Sequence, residues 1–250
     1  MRAVAELEVK GRAPKTGYSR EAFGPAWADA DRNGCDTRND VLRRDLTDVI
    51  VEPGTHGCVV LSGTLHDPYT GSLIEFTRGA TTSADVQIDH VVSLSDAWQK
   101  GAQGWVIRKR MAFANDPLNL LAVAGPGNEQ KGDGDTATWL PARASRCSYV
   151  ARQVAVKRKY QISVTAAEAA AMRSILARCP VATLPESGAP TLAPIRPPAT
   201  GAADELRLSP GGQGGFENCD AARAAEAPLR RGDPGYADYL DGDGDGIACE

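Results

Sequence analysis

The chain has 250 residues, 42% of them apolar, and a formal net charge of −4. That length allows one sizeable core plus a small second module, and no run approaches the roughly 18 apolar residues of a membrane-spanning helix. The charge is uneven: residues 1–180 carry 23 Lys and Arg against 20 Asp and Glu, whereas residues 181–250 carry 5 against 12. The average therefore describes neither of two electrostatically different pieces.

Residues 1–17 are polar and punctuated by Gly11, Pro14 and Gly17, and read as a mobile lead-in. Tyr18, Phe23 and Trp27 supply aromatic anchors before the turn Asp31-Arg32-Asn33-Gly34, and Asn39 is a candidate cap for a helix over 40–46. Residues 47–52, 58–62 and 73–77 have strand composition bounded by turn residues. Val86 to Val92 is expected to be a buried strand that carries Asp89-His90 to its end. Helices are expected over 93–100 and 105–114, then a short strand over 120–124, and a helix from Gly125-Pro126-Gly127 through Lys131. A helix over 144–160 contains Arg146, Arg152, Lys157, Arg158 and Lys159 and no acidic residue. The next begins at Thr165, three residues before Glu168, which is a capping-box spacing. Between Val181 and Pro210 six prolines mark a semi-extended linker. The expected organisation is a lead-in (1–17), a main domain (18–180), a linker (181–214) and a small C-terminal module (215–250).

Six cysteines stand at 35, 58, 147, 179, 219 and 249, with no Cys-x-x-Cys pair, which argues against zinc-ribbon and thioredoxin chemistry. An even, dispersed set fits disulfides between neighbours: Cys35–Cys58, Cys147–Cys179 and Cys219–Cys249, each closing a loop within one segment. Six buried thiols are the plain alternative. Disulfides imply an oxidising compartment. Met1 to Lys10 lacks the long apolar run of a signal peptide, so either a misplaced start codon or a trimmed product is expected. An extracellular or cell-surface location is expected.

The stretch from Gln87 to Lys131 carries most of the chemical information. Hydrolysis of a phosphodiester needs a base for water, a divalent cation on the phosphate oxygens and a group that orients the base. His90 titrates near neutrality and can accept a proton from water. Asp89 offers a hard carboxylate oxygen suited to Mg²⁺ or Mn²⁺, and Asn128 a neutral amide oxygen. Asn119, nine residues before Asn128, can hold the turn, and Lys131, on the same helix face as Asn128, can meet a phosphate oxygen. A lone Asp-His or Asn-Leu pair is more often structural; it is the ordered set that points to a site. His56 and His66 have no such company and read as surface residues.

Ile88-Asp89-His90-Val91-Val92, Asn115-Asp116-Pro117-Leu118-Asn119-Leu120 and Gly127-Asn128-Glu129-Gln130-Lys131-Gly132-Asp133 together resemble the HNH, or ββα-metal, nuclease superfamily. The subgroup most like it includes the C-terminal part of GmrSD-type restriction enzymes and secreted bacterial HNH endonucleases. The resemblance covers about residues 18–180. It implies an α+β fold with a ββα-metal core and added helices. It also implies His90 as general base, Asp89 and Asn128 as metal ligands, Asn119 as the structural asparagine and Lys131 as a phosphate contact. Asn128 replaces a histidine found in many relatives, and an amide oxygen favours Mg²⁺-like ions over zinc or nickel.

The chain ends in Asp241-Gly242-Asp243-Gly244-Asp245-Gly246-Ile247-Ala248-Cys249-Glu250. Oxygens at positions 1, 3 and 5, glycine at 6 and a backbone carbonyl at 7 describe an EF-hand-type calcium loop, shortened because the glutamate falls at position 10. With Phe216, Cys219, Pro234-Gly235-Tyr236 and Leu240, the segment resembles the Excalibur extracellular calcium-binding domain. That resemblance implies a small disulfide-braced, EF-hand-like module binding Ca²⁺ through Asp241, Asp243, Asp245, Ile247 and Glu250.

The expected protein is a monomeric, secreted endonuclease using Mg²⁺ or Mn²⁺ on nucleic acid, DNA rather than RNA, with low sequence specificity. A cell-wall or surface ligand is expected for the calcium module. The basic helix over 143–159 is either a solvated face or a phosphate-neutralising one. The rival class is a non-catalytic, calcium-dependent DNA- or wall-binding protein, which would have no use for a general base.

Overall fold

The computed structural model describes residues 2–179, 184–185, 229–231 and 247–248. The chain divides into a unit over 1–197 and a second over 198–250. In the second unit, β6 (Leu229–Arg230) and β7 (Ile247–Ala248) pair antiparallel, Arg230 opposite Ile247. Asp241, Asp243, Asp245, Glu250 and the expected Cys219–Cys249 bridge lie outside the described residues.

The first unit opens with α1 (Arg2–Ala5). The segment read as a mobile lead-in lies on the core instead: Val4 and Leu7 are buried, Val9 bridges Val164, and Ala13 N–H donates to the Gln99 carbonyl at 2.8 Å. Helix α2 (Thr37–Asp45) starts earlier than expected because Asp36, not Asn39, is the cap, accepting from Asn39 N–H at 2.7 Å. Asn39 serves another element: its Oδ1 accepts from Val60 N–H at 3.0 Å and from Arg78 at 2.6 Å.

Strands β1 (Leu46–Val51), β2 (Val60–His66) and β3 (Leu73–Thr77) form an antiparallel meander with Leu46 opposite Leu65 and Ser62 opposite Thr77. A separate two-stranded sheet pairs β4 (Val86–His90) with β5 (Leu120–Ala124), Val86 opposite Ala124 and His90 opposite Leu120. Between them the chain makes α3 (Leu94–Gln99) and α4 (Ile107–Ala114), and β5 leads directly into α5 (Gly125–Lys131). Gly125 is required at that junction: a Cβ there would lie 2.4 Å from the Ala84 carbonyl. Val41, Leu42, Val60, Leu65, Phe76, Val86, Ile88 and Leu120 fill the space between α2 and both sheets.

Helices α6 (Arg146–Tyr160) and α7 (Ala166–Leu176) close the unit. Thr165 caps α7 as the capping-box spacing predicts, accepting from Glu168 N–H at 3.1 Å. Cys35–Cys58 and Cys147–Cys179 are both bonded, the second joining the start of α6 to the residues after α7. With a sequence separation of 32, closing that loop contributes roughly 3–4 kcal/mol in the chain-entropy treatment.

The basic character of α6 is spent partly inside the protein and partly in surface ion pairs. Lys157, without exposed surface, lies 3.1 Å from Asp96 and 2.9 Å from Glu168. Arg152 donates to the Pro117 and Leu118 carbonyls, Lys159 meets Asp116 at 2.6 Å, and Arg158 meets Glu6 at 2.7 Å. The helix is therefore cationic on two sides: Lys157 turns into the core, while Arg158 and Lys159 stay at the surface in ion pairs. Lys157 belongs to a charge-balanced buried group in which Arg12, Lys100 and Lys157 face Asp96, Asp135 and Glu168. Lys100 reaches Asp96 at 2.7 Å, Asp135 at 2.9 Å and Glu168 at 2.6 Å. Burial at this density is tolerable only because every charge has opposite partners.

Candidate active site

Alternation along β4 sends Gln87 and Asp89 to one side and Ile88 and His90 to the other. The two adjacent candidate residues therefore lie in different surroundings. On the first side is α5, whose Asn128 and Lys131 share a face by their three-residue spacing. Asn128 Nδ2 donates to Gln87 Oε1 at 2.8 Å, which leaves the amide oxygen available as a ligand. Lys131 Nζ lies 3.0 Å from Asp89 Oδ1 and 2.9 Å from Oδ2, and donates to the His90 carbonyl at 2.9 Å. Tyr69 donates its hydroxyl to Asp89 Oδ2. Burial pushes the Asp89 carboxyl above its ordinary range, against the pull of Lys131 and Tyr69. Burial, then Asp89, pushes the Tyr69 phenol up as well.

His90 faces the other way. Its Nε2 lies 2.8 Å from the Ala114 carbonyl at the end of α4, and its ring stacks on Trp27, with centroids 6.5 Å apart and planes at 17°. A carbonyl can only accept, so Nε2 carries the proton and Nδ1 keeps its lone pair. Burial pushes the imidazole down to about 4, opposed by the Ala114 carbonyl and assisted by the charges of Arg20 and Lys131. At neutral pH the ring is uncharged, with a defined tautomer whose Nδ1 can take a proton.

Asn119 has no exposed surface. Its Oδ1 accepts from Val92 N–H at 2.9 Å and its Nδ2 donates to the Val92 carbonyl at 3.2 Å. Val91 N–H donates to the Asn119 carbonyl at 2.8 Å. The residue thus staples the chain just past His90, and its action is on backbone rather than on the imidazole. His56 and His66 are exposed, as expected.

Tyr69, Trp27 and Gln87 were not legible as site residues. Tyr69 sits in the turn Asp67–Ser72, and only the fold carries it to Asp89; Asp67 pins that turn, accepting from Thr70 N–H at 2.8 Å and from Ala124 N–H at 3.0 Å. Trp27 reads as a core anchor, and nothing in its neighbourhood announces a stack on His90. Gln87 had a readable signal, its two-residue spacing from Asp89.

Among the described residues, no three His, Cys, Asp or Glu side chains converge to enclose a metal. The donors that do share one side of β4 and α5 are the Asp89 carboxylate and the Asn128 amide oxygen. Their chemistry suits a hard divalent cation held by few protein ligands, with the remaining positions left to water and phosphate. Asp89 would then share its carboxylate between the cation and Lys131.

The family model for the C-terminal domain of GmrSD restriction endonucleases matches residues 36–175, which include β4, β5, α5 and the residues just described. The chain belongs to this family. Residues 216–250 of this GmrSD C-terminal-domain protein match the Excalibur calcium-binding domain, so the C-terminal segment is of a calcium-binding type. An uncharacterized secreted protein of the fungus Arthroderma benhamiae is 41% identical over 176 residues, covering 69% of this chain and 81% of the relative. The similarity is therefore not confined to bacteria. A secreted relative and two disulfides agree with the expected extracellular setting, and no helix among the described residues is long and apolar enough to cross a membrane.

Proposed function

We propose that the protein is a secreted, metal-dependent endonuclease that hydrolyses phosphodiester bonds of DNA, with β4, β5 and α5 as its ββα-metal core. The observation that carries this reading is His90. It is neutral, its Nε2–H is given to Ala114, and its Nδ1 is left as a proton acceptor at the end of a strand packed on α5. In the proposed reaction Nδ1 takes a proton from water as the water oxygen attacks phosphorus and the bond to the leaving oxygen breaks. Asn119 keeps the backbone beyond His90 in place, and Ala114 and Trp27 fix the ring's tautomer and plane. Asp89 and Asn128 would hold a divalent cation, Mg²⁺ or Mn²⁺, which when bound supplies Lewis-acid stabilisation of the phosphate charge. Lys131 holds the Asp89 carboxylate and the His90 carbonyl, so it acts in this reading as a positioning residue for both.

Three carboxylates within five residues at Asp241, Asp243 and Asp245 support calcium binding by the C-terminal module, with the Ile247 carbonyl and Glu250 completing the loop. That module would act in attachment to a wall or surface ligand rather than in the chemical step. The test is direct. Purified protein is offered supercoiled plasmid, single-stranded DNA and RNA, with Mg²⁺, Mn²⁺, Ca²⁺, Zn²⁺ or EDTA. The reading expects nicked and linear plasmid with Mg²⁺ or Mn²⁺ and none with EDTA; cleavage unaffected by EDTA, or none with any metal, would contradict it.

A further inference from the structure

Each α6 cation has an acidic or carbonyl partner in the protein, and Lys157 is fully buried. Helix α4 presents a different surface. Its sequence from Ile107 to Ala114 contains Arg108, Lys109 and Arg110 and no acidic residue. Arg108 is exposed and makes no hydrogen bond or ion pair among the described residues. Lys109 extends over the Trp105 ring, 4.3 Å from its centroid. Beside them stand two of the few large apolar side chains left in water, Val106 at 70% and Ile107 at 46% exposure.

This surface is rigidly joined to the candidate active site. Phe113 and Ala114 bury the inner face of α4, and the Ala114 carbonyl is the partner of His90 Nε2. Arg110 ties the outer end, donating to the Ala22 carbonyl at 2.6 Å and the Trp105 carbonyl at 2.5 Å. The adjoining turn starts from Arg20, whose charge bears on the His90 ring. Eight helical residues span about 12 Å.

We infer that the N-terminal turn of α4, with its cap Val106, is a DNA-contact surface, in which Arg108 and Lys109 meet backbone phosphates and Val106 and Ile107 press on the sugar edges of the adjoining groove. The inference rests on the nuclease reading, because it identifies the surface that holds that site's substrate. Two cations next to two exposed apolar side chains suit duplex DNA, where phosphates take the charges and the apolar groups lie against the sugars lining the groove. A protein or lipid partner would match the apolar pair but would leave unexplained why the same helix ends on the proposed base.

The full chain carrying His90→Ala, incubated with Mg²⁺ and a fluorescent duplex of about 20 base pairs, gives binding without cleavage. Adding Arg108→Gln and Lys109→Gln should lower the slope of log affinity against log salt by about 2, since each lost phosphate contact removes about 0.9. Adding Val106→Ser and Ile107→Ser instead should weaken binding several-fold at unchanged slope. In the His90-containing chain the same pairs should raise KM and leave kcat near its original value. Val106, Ile107 and Arg108 are exposed and Lys109 half-exposed, and matched melting temperatures would show that the fold is intact. If both pairs bind like the parent while the wild-type chain cleaves plasmid, the α4 inference fails and the nuclease reading stands. If the wild-type chain neither cleaves nor binds DNA, both fail.

Discussion

Lys131 Nζ lies 3.0 and 2.9 Å from the two oxygens of Asp89, and the lysine side chain has no exposed surface. The carboxylate that the sequence offers as a metal ligand is thus already neutralised by its own chain. Removing one partner of such a buried pair leaves an uncompensated charge, at a cost of about 3–5 kcal/mol. Lys131→Met should destabilise the protein by roughly that amount, and Lys131→Met combined with Asp89→Asn by clearly less than the sum of the single changes. Urea unfolding of the four proteins checks this; strict additivity would mean that the two groups do not interact.

The metal-holding roles make a separate prediction. Asp89→Ala and Asn128→Ala should each shift the Mg²⁺ dependence of cleavage to higher concentration, with activity partly recovered at high metal. Tyr69→Phe removes a donor to Asp89 but no ligand, and should shift that dependence less. A metal titration of cleavage rate is the measurement, and an unchanged midpoint in either ligand variant would remove that residue from the site.

Asn119→Ala should cost about 2–4 kcal/mol, because it leaves the Val92 N–H and carbonyl without their buried partners. Activity should fall with it, since these bonds fix the chain beyond His90. Asn119→Asp keeps an acceptor for Val92 N–H but replaces the donor with a second oxygen facing the Val92 carbonyl, and should not rescue. Thermal melts alongside initial rates decide the matter.

How much of this was legible in the sequence follows from which features are local. The strand ending at Asp89-His90, the 120–124 strand and the helix through Lys131 were readable because apolar runs and glycine–proline punctuation are local signals, and the two observed disulfides followed from segment-wise pairing. The partner of Asp89 was not, because Lys131 reads equally well as a phosphate contact until β4 and α5 are packed together. The basic run of α6 divides for a similar reason, with Lys157 turned inward and Arg158 and Lys159 at the surface. Charge patterning shows no sign of Asp96 and Glu168, which approach Lys157 only through α3 and α7. Asn39 is not the cap because Asp36, three residues earlier, accepts from the Asn39 N–H and starts the helix first.

The buried ionic group sets an acid limit. Although burial alone would raise it, Asp135 is held down at about 2, mainly by its hydrogen bond and charge interaction with Lys100, with help from the Ala137 amide and Arg12. Its unfolded value is near 3.9. A carboxyl depressed on folding contributes stability that is fully present above the unfolded value and is lost as pH falls toward the folded one. The melting-temperature gap between wild type and Asp135→Asn should therefore be constant from pH 7 to about 5 and close between about pH 4 and 2. A gap that persists unchanged at pH 2 would show that the charge of Asp135 is not what stabilises.

Whether His90 is the base is decided by cleavage of plasmid DNA in Mg²⁺ by wild type and by His90→Ala, with melting temperatures measured on the same samples. Loss of a general base lowers the rate by about 10²–10⁴-fold. The account predicts a loss in that range with the fold retained and DNA still bound. Wild-type-like turnover by a folded His90→Ala protein would contradict it.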